Sequence, residues 1–240
     1  MDNSGVLNSP SNCLSWGLKV AVTILDREIT RVAVIDDDKD SRDVYTFTVQ
    51  DSSLEPVDQV GPLPELDRFE ETLRQVAQSA LCDHHLSIHN YASFNGAELV
   101  ARCYDARFPA VLCTDWETAH IDEIRAYRSR IPVLLKPADL NSDTLIAGLS
   151  FCISEWTQGP QPTRRPWRTQ VHVQEVENEG ANSMVYVEIP GWSSEVIRLR
   201  LRDIPDPVRS KFVSDYRCHA NVNIGAETAD EIFFADWEDN

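Results

Sequence analysis

Residues 31–38 read RVAVIDDD. Val32, Ala33, Val34 and Ile35 are apolar and mostly β-branched, which predicts a strand buried on both faces, and the strand runs straight into Asp36, Asp37 and Asp38. Carboxylates this close together repel one another. The repulsion is relieved by protonation, by a neighbouring cation or by a bound metal ion. In an open α/β sheet the carboxyl end of such a strand is also where ligands sit. A solvated turn would use the same three residues, so the downstream sequence has to decide between the two.

Downstream, short apolar runs alternate with helical periodicity. Lys39 to Gln50 carries Val44, Phe47 and Thr48 at helical spacing, and a short strand is predicted around Val57. Leu66 to Ala80 has Leu66, Phe69, Leu73, Val76 and Ala77 along one side, and leads into Ala80-Leu81-Cys82, which ends at Asp83. Helices are predicted over Glu98 to Asp105, Glu117 to Tyr127 and Ser142 to Trp156, the last capped by Asn141 or Ser142. Between them lie the strands Pro109 to Cys113, ending at Thr114, and Ile131 to Leu135, ending at Lys136-Pro137. Five strand-helix alternations predict an α/β fold with a doubly wound five-stranded parallel sheet. Its strand ends carry Asp36/Asp37, Asp83, Thr114 and Lys136 in order.

The 240 residues suffice for two modest domains, and a charged fraction of 25% is that of an ordinary globular protein. A net charge of -17 argues against nucleic acid held on a general basic surface, and both parts share it: residues 1–160 carry 13 basic and 25 acidic side chains, the remainder 9 and 14. The six cysteines, at 13, 82, 103, 113, 152 and 218, show no C-x-x-C pair, and Cys103, Cys113 and Cys152 sit among apolar residues. That pattern fits free thiols in a reducing compartment. With no basic amino-terminal region and no long apolar run, a cytoplasmic protein without membrane contact is expected.

The order and spacing of the strand-end residues resemble the receiver domain of bacterial response regulators, over roughly residues 30–157. Asp83 lies 47 residues after Asp36, 31 before Thr114 and 53 before Lys136. The resemblance implies a flavodoxin-like sheet with Asp83 as phosphoacceptor, the nucleophile toward the phosphohistidine of a histidine kinase or phosphotransfer protein. It implies Mg2+ held by Asp36, Asp37 and Asp83, and phosphoryl oxygens met by Lys136 and Thr114. It also implies no enzymatic activity beyond autophosphorylation and autodephosphorylation, and often a cis Lys136-Pro137 bond. Three departures stand out. Val133 replaces the usual Tyr or Phe three residues before the lysine, Gly96 falls about five residues late after the long loop from His84, and Asp115-Trp116 follows Thr114 where a small residue is common. The readout is therefore expected to rely on the loop from His84 to Asn95 and on Trp116. His84, His85 and His89, with Cys82 nearby, match no structural zinc spacing and are expected to be solvated loop residues.

Residues 1–29 are predicted to be an amino-terminal extension, polar to residue 12 and then containing an apolar run that packs on the first domain as a helix or strand. Residues 158–168 read as a proline-rich linker. Over 169–240 the period changes to two, with strands predicted at Thr169 to Val176, Ser183 to Ile189, Glu195 to Leu201, Cys218 to Ile224 and Glu231 to Trp237, and a short helix within Pro207 to Tyr216. This predicts a small all-β barrel or sandwich. Arg198, Arg200 and Arg202 alternate along one strand, and His219, Asn221 and Asn223 along another. Were those faces adjacent, they would form an interaction face for a phosphate-rich ligand or an acidic protein segment; a solvated face is the alternative. The expected output is contact with a downstream protein. Two rival readings are an OB-like domain binding nucleic acid and a phosphatase resembling the haloacid dehalogenases, whose first motif Asp36-x-Asp38 echoes.

Overall fold

The computed structural model describes residues 22–87, 90–115 and 118–239. The expectation for residues 1–21 lies outside them, as do Trp116 and His89. Val22–Ile24 (β1) and Arg27–Ile29 (β2) form an antiparallel hairpin, turned by Leu25 and Asp26 at φ of 44° and 65°. Of the predicted helix or strand, the extension here is a strand pair.

The first large sheet contains Arg31–Ile35 (β3), Glu55–Asp58 (β4), Ser79–Cys82 (β5), Ala110–Cys113 (β6) and Leu134–Leu135 (β7). All pairings are parallel, in the order β4-β3-β5-β6-β7. That is the flavodoxin-like order, with its switch point between β3 and β5. Because side chains alternate along a strand, β3 feeds two cores. Val32 and Val34 pack with Tyr45, Val49, Leu145, Leu149 and Ile153, beneath Lys39–Asp51 (α1) and Ser142–Gln158 (α5), and Ile24 and Ile29 of the hairpin join this layer. Ala33 and Ile35 face Leu66–Val76 (α2), Gly96–Asp105 (α3) and Thr118–Arg125 (α4), through Phe69, Leu73, Leu99, Val100 and Ile124. The four-residue apolar run is explained by this burial on both faces.

Three sequence expectations change. Helix α1 turns Tyr45 and Val49 inward and leaves Val44 and Phe47 60% and 69% exposed. Arg42 and Tyr45 set that rotation, the first bonded to the Asp36 carbonyl (2.6 Å) and the second to the Cys113 carbonyl (3.0 Å). Strand β7 is two residues long, because Ile131 to Val133 are not extended ladder residues and the chain leaves the short turn Arg128–Arg130 just before them. Among the described residues the cis peptide bond is Gly61-Pro62; Lys136-Pro137 is not cis.

The second sheet is antiparallel and ordered β10-β9-β8-β11-β12, built from Trp167–Glu177 (β8), Met184–Ile189 (β9), Ser193–Arg200 (β10), Arg217–Val222 (β11) and Phe234–Glu238 (β12), with the short helix Asp206–Arg209 (α6) between β10 and β11. Val171, Val173, Val185, Val187, Ile197, Cys218 and Val222 form its core. The sheet curls without its edges pairing. Leu199 of β10 and Phe234 and Trp237 of β12 line one small cavity with Asp122 and Arg125 of α4, so that α4 lies across the open seam.

The segment between α5 and β8 is pinned rather than free. Arg164, 6% exposed, pairs with the buried Glu155 at 2.8 Å, and it donates to the carbonyls of Arg128 (3.2 Å) and Ser129 (3.0 Å).

Candidate functional site

The carboxyl end of β3 places Asp36 under cover and starts α1 three residues later. Asp38 caps that helix, accepting from the Ser41 amide at 2.9 Å, and this bond holds its carboxyl below the ordinary range. A helix cap is thus the role of the second aspartate of the dehalogenase-like Asp36-x-Asp38 echo. Across the switch point, β5 ends at Asp83. One carboxylate oxygen each from Asp36, Asp37 and Asp83 lie within 4.8 Å of one another.

Burial raises the Asp36 carboxyl to about 7, helped by the charges of Asp83, Asp37 and Asp38 and opposed by a 2.8 Å bond from the Asp38 amide. A buried carboxyl crowded by two further carboxylates fits a hard divalent cation. Three oxygen donors with room for water suit Mg2+. Asp83 itself accepts from the His85 amide at 2.6 Å.

The next two strands supply the remaining predicted residues. Thr114 follows β6, is buried, and is tied to the neighbouring strand end by its amide on the Leu135 carbonyl at 2.9 Å; its hydroxyl donates to the Asp115 carbonyl at 3.3 Å. Lys136 follows β7 at the same edge of the sheet, with an exposed side chain. Val133 is half-buried against α5, where a Cβ on Gly148 would come within 3.2 Å of it.

The long loop after Asp83 is closed at its neck. The amides of Ala92 and Gly96 donate to the carbonyls of Leu86 and His84, each at 2.9 Å. Gly96 is required there, since a Cβ would lie 1.7 Å from the Asp83 carbonyl oxygen. His84 departs from the expected solvated state. It is 1% exposed, burial lowers its pKa to about 4, and its Nε2 lies 3.7 Å from Glu123. Its ring is followed by those of His85 and His120 in edge contact.

The predicted arginine and asparagine face is not one surface. Strand β10 ends at Arg200, and Arg202 lies in the following turn. Strands β10 and β11 are separated by β9 and β8. Arg198 pairs with Asp122 of α4, and Arg200 pairs with Glu123 (3.3 Å) and Asp203 (2.6 Å). Asn221 donates to Asp236 at 2.8 Å, while Asn223 is fully buried, bonded to the Thr163 and Glu231 carbonyls and to the Phe233 amide.

Sequence reasoning missed Arg42, which braces the acidic loop through the Asp36 carbonyl and Asp58, and the α4 trio Asp122, Glu123 and Arg125. In the string IDEIR these read as a solvated helix face. No local signal marks the trio, because their partners on the carboxyl-terminal sheet lie about 75 residues or more away.

No protein-family model matches the chain, and no curated protein does. Solved structures do. A response regulator receiver domain protein from Clostridium thermocellum aligns at 10% identity and a TM-score of 0.40, covering 54% of this chain and 98% of that one. The receiver domain of NtrX from Brucella abortus aligns at 16% identity and 0.39, covering 51% and 98%, and the chemotaxis response regulator CheY4 of Vibrio cholerae at 15% and 0.37, covering 52% and 98%. The structural neighbours of this chain over about half its length are response regulator receiver domains.

Proposed function

We propose that this protein is a response regulator that accepts a phosphoryl group on Asp83 and signals through its carboxyl-terminal sheet by protein contact. The observation that carries the reading is the set of three carboxylates, Asp36, Asp37 and Asp83, gathered at the switch point of a flavodoxin-like sheet whose next two strands end in Thr114 and Lys136. The donor is the phosphohistidine of a kinase or phosphotransfer protein. An Asp83 carboxylate oxygen attacks phosphorus; the oxygen–phosphorus bond forms as the nitrogen–phosphorus bond breaks, and the imidazole leaves with the electron pair and takes a proton. Mg2+ held by Asp36, Asp37 and Asp83 would neutralise charge on the phosphoryl oxygens. Lys136 pairs with one of those oxygens, and the Thr114 hydroxyl turns from the Asp115 carbonyl to donate to another. Turnover is limited to this self-phosphorylation and its hydrolysis.

A protein partner is favoured over nucleic acid for the output, because the sheet's Arg198 and Arg200 are already neutralised by carboxylates. A cytoplasmic setting is supported by five buried free cysteines, at 82, 103, 113, 152 and 218. Among the described residues no helix is long and apolar enough to cross a membrane.

The test is labelling by acetyl phosphate or a histidine kinase in Mg2+. Wild type takes label and Asp83→Asn takes none, since an amide is not a competent nucleophile. Labelling of Asp83→Asn at the wild-type rate would overturn the assignment.

A further inference from the structure

Asp37 does more than complete the set of three carboxylates. It also lines a cleft of about 320 Å3 beside them, between the segment after β4 and the loop after Asp83. That volume is at the lower end of those that hold small molecules. Val60, Gly61, Pro62 and Tyr91 make the apolar side of the cleft, and Arg42 and Asp37 the charged side.

The two chain segments are joined into one wall. The Leu63 amide donates to the Tyr91 carbonyl and the Tyr91 hydroxyl to the Gln59 carbonyl, each at 2.6 Å. Gly61 admits the Tyr91 ring, since a Cβ there would fall 2.4 Å from it. Beside this fixed wall Val60 stands 69% exposed, an apolar side chain that gains from being covered.

Arg42 is fixed as well. It is 8% exposed, held by the Asp36 carbonyl at 2.6 Å and the Asp58 carboxylate at 3.0 Å, with its guanidinium 5.8 Å from the Tyr91 ring centroid. A guanidinium has more N–H donors than these two contacts use, so it can also meet an anionic oxygen in the cleft. A ligand filling the cleft thus meets three environments: the carboxylate set, a buried cation and an apolar wall. An acyl phosphate has three matching parts, namely a phosphoryl group, an acyl oxygen that leaves as a carboxylate, and a hydrocarbon tail.

We propose that this cleft binds acyl phosphates with an apolar acyl group larger than acetyl, as small-molecule phosphodonors to Asp83. This rests on the reading of Asp83 as phosphoacceptor. An Asp83 carboxylate oxygen bonds to phosphorus as the bond from phosphorus to the acyl oxygen breaks. The electron pair stays on that oxygen, so the leaving group is a carboxylate anion that takes no proton, and its charge develops beside Arg42. The tail lies on Val60, Pro62 and Tyr91. Two methylenes more than acetyl, covered there, correspond to about 10-fold in kcat/KM.

The experiment uses the full chain in Mg2+ with acetyl phosphate and butyryl phosphate, two alkyl acyl phosphates of like reactivity. Phosphorylation is followed by intact mass, and kcat/KM should be about 10-fold higher for butyryl phosphate. Binding is read separately by calorimetry with acetylphosphonate and butyrylphosphonate, whose carbon–phosphorus bond cannot transfer, and the same order is expected. Val60→Asp places a charge where the tail lies and should bring both ratios to about one. Should that variant fail to fold, Val60→Ser carries the same expectation.

Equal kcat/KM for the two donors in wild type overturns the cleft assignment and leaves the phosphoacceptor reading standing. A butyryl preference that persists in the Val60 variant overturns it too, because the tail would then lie elsewhere. No labelling by either donor also defeats it. Binding of beryllofluoride, a phosphoryl mimic, would in that case keep the phosphoacceptor reading, and failure to bind it would remove both.

Discussion

Two buried residues at the site carry opposite dependences on pH. Asp36, raised to about 7 by burial and by its carboxylate neighbours, binds its proton more tightly in the fold than in the open chain, so its contribution to stability falls as pH rises from about 4 to about 7. His84, lowered to about 4 by burial, does the reverse: its contribution is complete above about 6.5 and is lost as pH falls toward 4. In the metal-free wild type the two slopes oppose one another across that window. Asp36→Asn should expose the histidine slope, with stability gained from pH 4.5 to 6.5, and His84→Gln should expose the opposite one, each on the order of 3 kcal/mol across the window. Denaturant midpoints at the two pH values check this; variants whose profiles run parallel to wild type would refute it. Gly96→Ala should cost about 2–3 kcal/mol or more, because its Cβ falls on the Asp83 carbonyl and neither backbone can yield. Thermal or denaturant unfolding measures that cost.

At the scale of elements, the helices start where short polar side chains satisfy their first amides. Asp38 caps α1, Asn95 caps α3, and Asn141 forms a reciprocal capping box with Thr144 on α5. Asn95 has a second task, donating to Glu123 from the neck of the loop after Asp83. Asn95→Asp keeps the cap and loses that donor, whereas Asn95→Ala loses both. The alanine variant should be about 1 kcal/mol less stable than wild type, and the aspartate variant is destabilised instead by repulsion between its carboxylate and that of Glu123. Both should show faster hydrogen exchange in the described loop residues 84–87 and 90–95. Exchange in the aspartate variant equal to wild type would mean that Glu123 does not restrain the loop.

At the scale of the molecule, the two sheets have separate cores but share a buried, charged seam. Arg164 from the connecting segment and Arg125 from α4 both lie within it, with Glu155, backbone carbonyls and the Phe233 ring as partners. Breaking one member of a buried pair leaves the other charge uncompensated, so Arg164→Ala should cost about 3–5 kcal/mol at the seam. The wild type is expected to unfold in one calorimetric transition and Arg164→Ala in two, the sheets having been uncoupled. A single transition at a uniformly lower temperature would show that the seam is not what couples them.

Local pattern alone determined the five strand-helix alternations, the positions of the strand ends and hence the candidate residues Asp36, Asp37, Asp83, Thr114 and Lys136. It could do so because strands buried on both faces are written as short continuous apolar runs, half-buried strands at a period of two and amphipathic helices at 3.6, and a parallel sheet brings its strand ends to one edge. Strand number in the carboxyl-terminal part was legible for the same reason. Only the tertiary structure decided which side of α1 faces inward, where Tyr45 and Arg42 outrank Val44 and Phe47 by bonding to distant carbonyls. It alone decided that the sheet order separates the β10 arginines from the β11 asparagines, that Arg198 and Arg200 turn to α4, and that His84 is buried against Glu123. Those outcomes depend on partners far apart in the chain, and the free energy of burying a charge is set by what meets it there, which no neighbouring residue records.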